Sequence, residues 1–254
     1  MSVTLSMVAR KGGVGKTSGA LNLAGAALDD GAKRVLLIDL DSQASLSKAL
    51  LGASDVDSLR PDQTVQAVAE RYRSAGDVLR ETQVEGIDIV PSFRDLHIPH
   101  DGALNLAGID HDLVIIDTPP DIRDSSVRCA LLASTVVISP VVPEAWGLQS
   151  CHGVQQLLMS AGMVSNQHMI FAGFLLSMVQ RVTIHTLCCD ALRRLHGGNV
   201  FDNELPQAAA FKEAAAAGVP VTKLTPKNKA AKTVRAVFAE MIERVEVALK
   251  RGAA

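Results

Sequence analysis

The run Lys11-Gly12-Gly13-Val14-Gly15-Lys16-Thr17 holds the residue types that cradle a polyphosphate. Glycines let a backbone curl tightly enough to aim several N–H groups at phosphate oxygens, and a helix that follows adds the positive end of its dipole. Lys16 is spaced to reach β- and γ-phosphates, and the Thr17 hydroxyl to ligate Mg²⁺. Gly12, Gly13, Val14, Gly15, Lys16, Thr17 and Ser18 are therefore the expected contacts of a bound nucleotide. Two apolar runs further along each deliver carboxylates. Run 35–38 ends in Asp39-Leu40-Asp41-Ser42-Gln43, and run 113–116 ends in Asp117-Thr118-Pro119-Pro120. A carboxylate just past a buried strand sits at the edge where doubly wound folds hold their ligands. Spacing by two sends Asp39 and Asp41 the same way, towards the phosphates. Asp117, fixed by four apolar residues and followed by a rigid turn, has what a Walker B element needs to hold a metal through water.

The elements that must position these groups are legible as apolar runs of strand length: 3–8, 21–28, 35–38, 87–90, 113–116, 135–142 and 170–176, alternating with segments of helix length. Near-continuous apolar strands need both faces covered, which predicts a mainly parallel sheet flanked by helices, a doubly wound α/β fold. The phosphate loop lies between the first run and a helix expected to begin near Ser18. Segment 53–110 predicts a helix over 64–73 and a strand ending at Pro91, with nothing that suggests chemistry; Ala-rich 208–217 reads as helix. The 254 residues fit one α/β domain, 1–254, and leave no room before Met7 for a separate helix-turn-helix module.

The strict pattern G-x-x-x-x-G-K-[ST] places its first glycine where this chain has Arg10. Lys11 followed by Gly12-Gly13 resembles instead the deviant Walker A motif of the ParA/MinD family of P-loop ATPases, and the resemblance runs from the first strand to the last helix, interrupted mainly at 53–110. It implies an ATPase that binds ATP with Mg²⁺ and dimerises around it, with Lys11 reaching the nucleotide of the other subunit. Asp39 to Gln43 resembles the family's D-x-D-P-Q switch, with Ser42 in place of proline; by that match Asp41 orients the attacking water and Asp39 supports Mg²⁺ or its waters. Stretch 138–144 with Trp146 resembles the segment near the dimer interface. Leu205-Pro206, Phe211 and 218–221 resemble the part that closes over the adenine, making Pro206, and more weakly Met178, nucleotide contacts.

Six cations, Lys212, Lys223, Lys227, Lys229, Lys232 and Arg235, lie within 24 residues against the single acid Glu213. Lysines neutralise phosphate without reading sequence, and the family resemblance turns this stretch, joined by Arg193 and Arg194, into an expected nonspecific DNA-binding face. The formal net charge of −2 excludes whole-molecule attraction to nucleic acid, so any such grip has to be local. The resemblance implies a ParB-like partner that stimulates hydrolysis, and a cytoplasmic, nucleoid-associated protein that positions plasmid or chromosome cargo. A membrane-bound MinD-like role is the first alternative. It is opposed by Val234, Val237, Phe238, Met241, Ile242 and Val245, whose helical spacing suits packing on the sheet. A ligase or iron–sulfur carrier on the same scaffold is the second. The scattered Cys129, Cys151 and adjacent Cys188-Cys189 lack the CxxC spacing of a metal site.

Overall fold

Strands buried on both faces demand a helical layer on each side, and the computed structural model, which describes residues 3–144, 147–164 and 166–252, has that arrangement. The strands are β1 (Val3–Met7), β2 (Val35–Asp39), β3 (Arg80–Glu81), β4 (Ile87–Val90), β5 (Leu113–Asp117), β6 (Val136–Val141) and β7 (Ile170–Leu176). They form one sheet in the order β3-β4-β2-β5-β1-β6-β7, parallel throughout except for the short edge strand β3. Every residue of β2, β4, β5 and β6 is buried. The doubly wound sheet expected from the apolar runs is thus the architecture of the protein.

The helices are α1 (Lys16–Asp29), α2 (Ser45–Leu51), α3 (Ala53–Asp57), α4 (Val65–Ala69), α5 (Ala75–Val78), α6 (Ser125–Ala133), α7 (Gly147–Val164), α8 (Thr183–His196), α9 (Ala209–Ala217), α10 (Val221–Leu224) and α11 (Lys229–Gly252). One core layer packs α1, α9 and α11 on the sheet through Leu21, Leu23, Ala214, Val234, Val237 and Met241. The opposite face is covered by Val65, Val68, Val78 and Ala130 at one side, and by Val127, Cys151, Val154 and Leu192 at the other.

Two expectations are corrected. The apolar run 21–28 is the interior of α1, not a strand: its Ala and Leu residues carry helix propensity, and it contains no β-branched residue. The helix expected over 64–73 closes at Ala69. Thr64 caps it by accepting from Gln66 N, and the chain turns left-handed at Arg71 (φ 64°), which a helix cannot continue through. Trp146 lies outside the described residues.

Candidate functional site

β1, β2 and β5 lie side by side in the sheet and all end at the same edge, and the loop from β1 to α1 runs along it. Gly13 (φ 71°) and Gly15 (φ 91°) both take the left-handed conformation, which only glycine adopts without strain. Gly15 stands at the N-cap of α1, and no side chain caps that end. The first-turn N–H groups of a helix have no partners within it, so here they are left for a ligand together with the positive end of the dipole.

Lys16 is only 6% exposed, and its Nζ donates to the Lys11 carbonyl at 3.4 Å. Burial lowers its ammonium from the ordinary lysine range, against the pull of Asp117 and Asp41. Thr17 Oγ1 donates to Asp117 Oδ2 at 2.6 Å, and Asp117 Oδ1 is buried with no hydrogen-bond partner among the described residues. Such an orphaned oxygen is costly unless something binds it. Asp117 lies opposite Asp39 in the β2–β5 register, and both carboxylates are fully buried. Burial, and then the Asp39 charge, push the Asp117 carboxyl well above the usual carboxylate range. Two buried acids side by side call for a cation, and the donor set fits Mg²⁺. Mg²⁺ takes one or two protein oxygens, here Thr17 Oγ1 and Asp117, and fills the rest of its shell with phosphate oxygens and water.

The structure gives Asp39 other partners than those expected of it. Oδ1 accepts from Asp41 N at 3.1 Å, and Oδ2 accepts from Ser47 N at 2.9 Å and Ser47 Oγ at 2.7 Å. Its oxygens are therefore spent on the turn that leads into α2, because a buried carboxylate takes the nearest donors. Asp41, two residues on, is half-buried and does face the cleft. The pair thus diverges instead of pointing the same way.

The cleft measures about 490 Å³ and is lined by Gly12, Gly13, Gly15, Lys16, Thr17 and Ser18 along one wall, with Asp41, Pro120 and Met178 facing them. Val14 is buried behind it, its carbonyl accepting from Ser177 Oγ at 2.8 Å. An adjoining hollow of about 50 Å³ brings Met178 and Pro206 together with Ser18, Asn22 and Phe211. Met178 holds a left-handed conformation (φ 54°), costly for a non-glycine residue, beside the bridge that pairs Val179 with Pro206. Ser45 and Asn22 also line these hollows and carry no local sequence signal, whereas Gln43 and Pro120 line the cleft from within the two carboxylate motifs.

Lys11 is not turned into its own cradle. Its side chain is 51% exposed and pairs with Glu144 at 3.3 Å, beyond the end of β6. The expected DNA-binding residues divide into two sets. Lys227, Lys229 and Lys232 are exposed and carry no ion pair among the described residues. Lys223 and Arg235 both pair with Asp29 at the end of α1, and Arg193 pairs with Glu204 at 3.1 Å. Arg193 and Lys229 line a common hollow whose acids are Asp190, Asp202 and Glu204; Arg194 is exposed on α8. The α11 residues Val234, Val237, Phe238 and Met241 are buried in the core, with Ile242 and Val245 packed against it. Among the described residues, no helix is long and apolar enough to cross a membrane.

Comparison with known proteins points to the same fold. A family model described as an AAA domain (AAA_31) matches residues 2–170. The chromosome-partitioning ATPase Soj of Thermus thermophilus is 28% identical over 96% of this chain and 97% of its own. Among solved structures, apo McdA of Cyanothece superposes with a TM-score of 0.80 at 18% identity, covering 95% of this chain and 100% of that one. Cobyrinic acid a,c-diamide synthase of Mycobacterium smegmatis, with bound ADP and magnesium, gives 0.75 at 23% identity, covering 93% and 92%. These structural likenesses, at low identity, establish the fold alone. With the phosphate loop, the pairing of Thr17 with the buried Asp117 and a family match over most of the chain, this protein belongs to the AAA_31 family of AAA domains and is a P-loop ATPase of the ParA/MinD type.

Proposed function

We propose that this protein is an ATP-dependent DNA-partition ATPase: loaded with ATP and Mg²⁺ it dimerises, the dimer binds DNA without sequence preference, and slow hydrolysis stimulated by a ParB-like partner releases it. The observation that carries the reading is the contrast between two lysines of one loop. Lys16 is buried against the cradle, whereas Lys11 stands exposed and directed away from it, where it serves a second subunit's nucleotide and not its own. The backbone N–H groups of 12–18 bind the phosphates, and Lys16 neutralises them. Thr17 and Asp117 would hold Mg²⁺, which when bound offsets the charge that builds on the phosphate oxygens. Asp41 orients the water that attacks the terminal phosphorus, yielding ADP and phosphate, while Asp39 anchors the turn that carries Asp41. Met178 and Pro206 contact the base. Electrostatic positioning does nearly all the chemistry in such a site, so turnover is low until a partner perfects it.

Lys227, Lys229 and Lys232 form the core of the DNA-binding face, and two copies of that face in a dimer multiply the number of phosphates neutralised. The test is an ATPase assay with and without nonspecific duplex DNA and the product of the adjacent reading frame, alongside DNA binding in each nucleotide state. Joint stimulation, and DNA binding that requires ATP, are the expected results. Equal DNA binding with ATP, with ADP and without nucleotide would defeat the proposal.

A further inference from the structure

Asp29 ends α1, about 21 Å along the helix axis from the phosphate loop. Its carboxylate accepts from Lys223 Nζ at 2.8 Å and from Arg235 Nε at 2.7 Å, so the three groups make one ion cluster that ties α1 to the start of the basic segment. Burial works against the charged carboxylate, but the hydrogen bonds and charges of Lys223 and Arg235 outweigh it and hold Asp29 below the usual range, ionised at neutral pH. The two cations are bound differently. Arg235 also donates from Nη1 to the Pro226 carbonyl at 2.8 Å and from Nη2 towards the Thr222 carbonyl at 3.3 Å, which commits its whole guanidinium to the α10–α11 turn. Among the described residues, Lys223 Nζ donates only to Asp29.

We propose that Asp29 is a built-in counterion that withholds Lys223 from DNA, with Arg235 as the clamp that keeps Asp29 in place. The inference rests on the partition reading and deepens it, by dividing the basic face into lysines that grip and one that is neutralised. An exposed Lys–Asp pair is weak on its own, so a phosphate could draw Lys223 away from a free carboxylate. Asp29 is not free. Arg235 holds it beside Lys223, and a phosphate approaching that lysine meets a fixed negative charge. The face therefore binds with fewer phosphate contacts than its count of cations suggests, which suits a protein that must let go of DNA after hydrolysis.

The test measures affinity for a nonspecific duplex against salt concentration, using full-length protein loaded with a non-hydrolysable ATP analogue, in four forms: unmodified, Asp29→Asn, Lys223→Ala and the double variant. Removing the counterion is expected to tighten binding several-fold and to steepen the slope of log affinity against log salt by about 1 per subunit. Lys223→Ala alone is expected to change affinity less than twofold. In the Asp29→Asn background the same substitution abolishes the gain, a coupling that independent sites do not produce. Unchanged or weaker binding by Asp29→Asn overturns the inference while leaving the DNA-binding reading intact. Should Asp29→Asn fail to fold, the single variants decide: a loss for Lys223→Ala equal to that for Lys232→Ala overturns the inference, and a much smaller loss supports it. Absence of DNA binding by the unmodified protein in every nucleotide state removes the partition reading, and this inference with it.

Discussion

The two ends of α1 hold their charges in different ways. At the phosphate loop, Lys16 is almost wholly out of water, Asp117 keeps a buried oxygen without a partner, and Asp39 sits beside it as a second buried acid. At the other end, Asp29 lies near the surface with two cations on it. The first arrangement costs stability until a nucleotide and a metal complete it; the second is complete already. A site that holds buried polar groups without partners is one whose ligand supplies what is missing, whereas a satisfied surface cluster sets how much charge remains on show. The same helix thus joins an edge whose buried polar groups await partners to a surface cluster whose charges are already paired.

The sharpest way to break this comparison is to remove the buried charge at the loop. Lys16→Ala is expected to abolish ATP binding, hydrolysis and all nucleotide-dependent DNA binding, read by nucleotide titration and duplex retention. Asp41→Ala is expected to lose hydrolysis yet keep DNA binding as a trapped dimer, which separates seating the triphosphate from cleaving it. Gly25 marks the middle of the connection. A Cβ there would lie 2.4 Å from Pro220 Cβ and 2.5 Å from Thr222 Oγ1, so Gly25→Ala is expected to push α1 away from the basic segment and cost about 1–3 kcal/mol in denaturant unfolding.

Asp117→Asn probes the buried carboxyl directly. Burial and the Asp39 charge raise the Asp117 carboxyl to about 8 in the folded protein, above the 3.8 of the unfolded chain. The folded state therefore binds more protons between these values, and this contribution to stability is lost as pH rises through that window. Melting of the nucleotide-free protein should fall between pH 6 and 8, and Asp117→Asn should flatten that fall and raise the melting point at pH 8 by a few degrees while abolishing hydrolysis. The smallest effect belongs to the exposed face. Lys232→Ala should weaken DNA binding uniformly across sequences and reduce the salt slope by about 1 per subunit, with ATP binding unaffected.

What was legible in the sequence was what is local. The glycine loop, the strand–carboxylate–turn at 113–120 and the parallel sheet each follow from residues close together in the chain, whose meaning does not depend on partners. The run 21–28 was apolar enough for a strand, and only its Ala and Leu content, with the loop ahead of it, made it the interior of a helix. Where a side chain's meaning depends on distant residues, the sequence was mute. Asp39 has the spacing of a site carboxylate, yet Ser47 claims one of its oxygens from eight residues away. The stretch from Lys212 to Arg235 contains one acid, and the acid that matters to it, Asp29, is nearly two hundred residues upstream.

Lys11, exposed and turned from its own cradle, is proposed to complete the pocket of a second copy. Sedimentation of the unmodified protein and of Lys11→Ala, each loaded with Mg²⁺ and a non-hydrolysable ATP analogue, tests it most directly. A dimer is expected for the unmodified protein, and for Lys11→Ala a single subunit that still binds the analogue. An unmodified protein that stays a single subunit when loaded, or a Lys11→Ala variant that dimerises equally well, would contradict it.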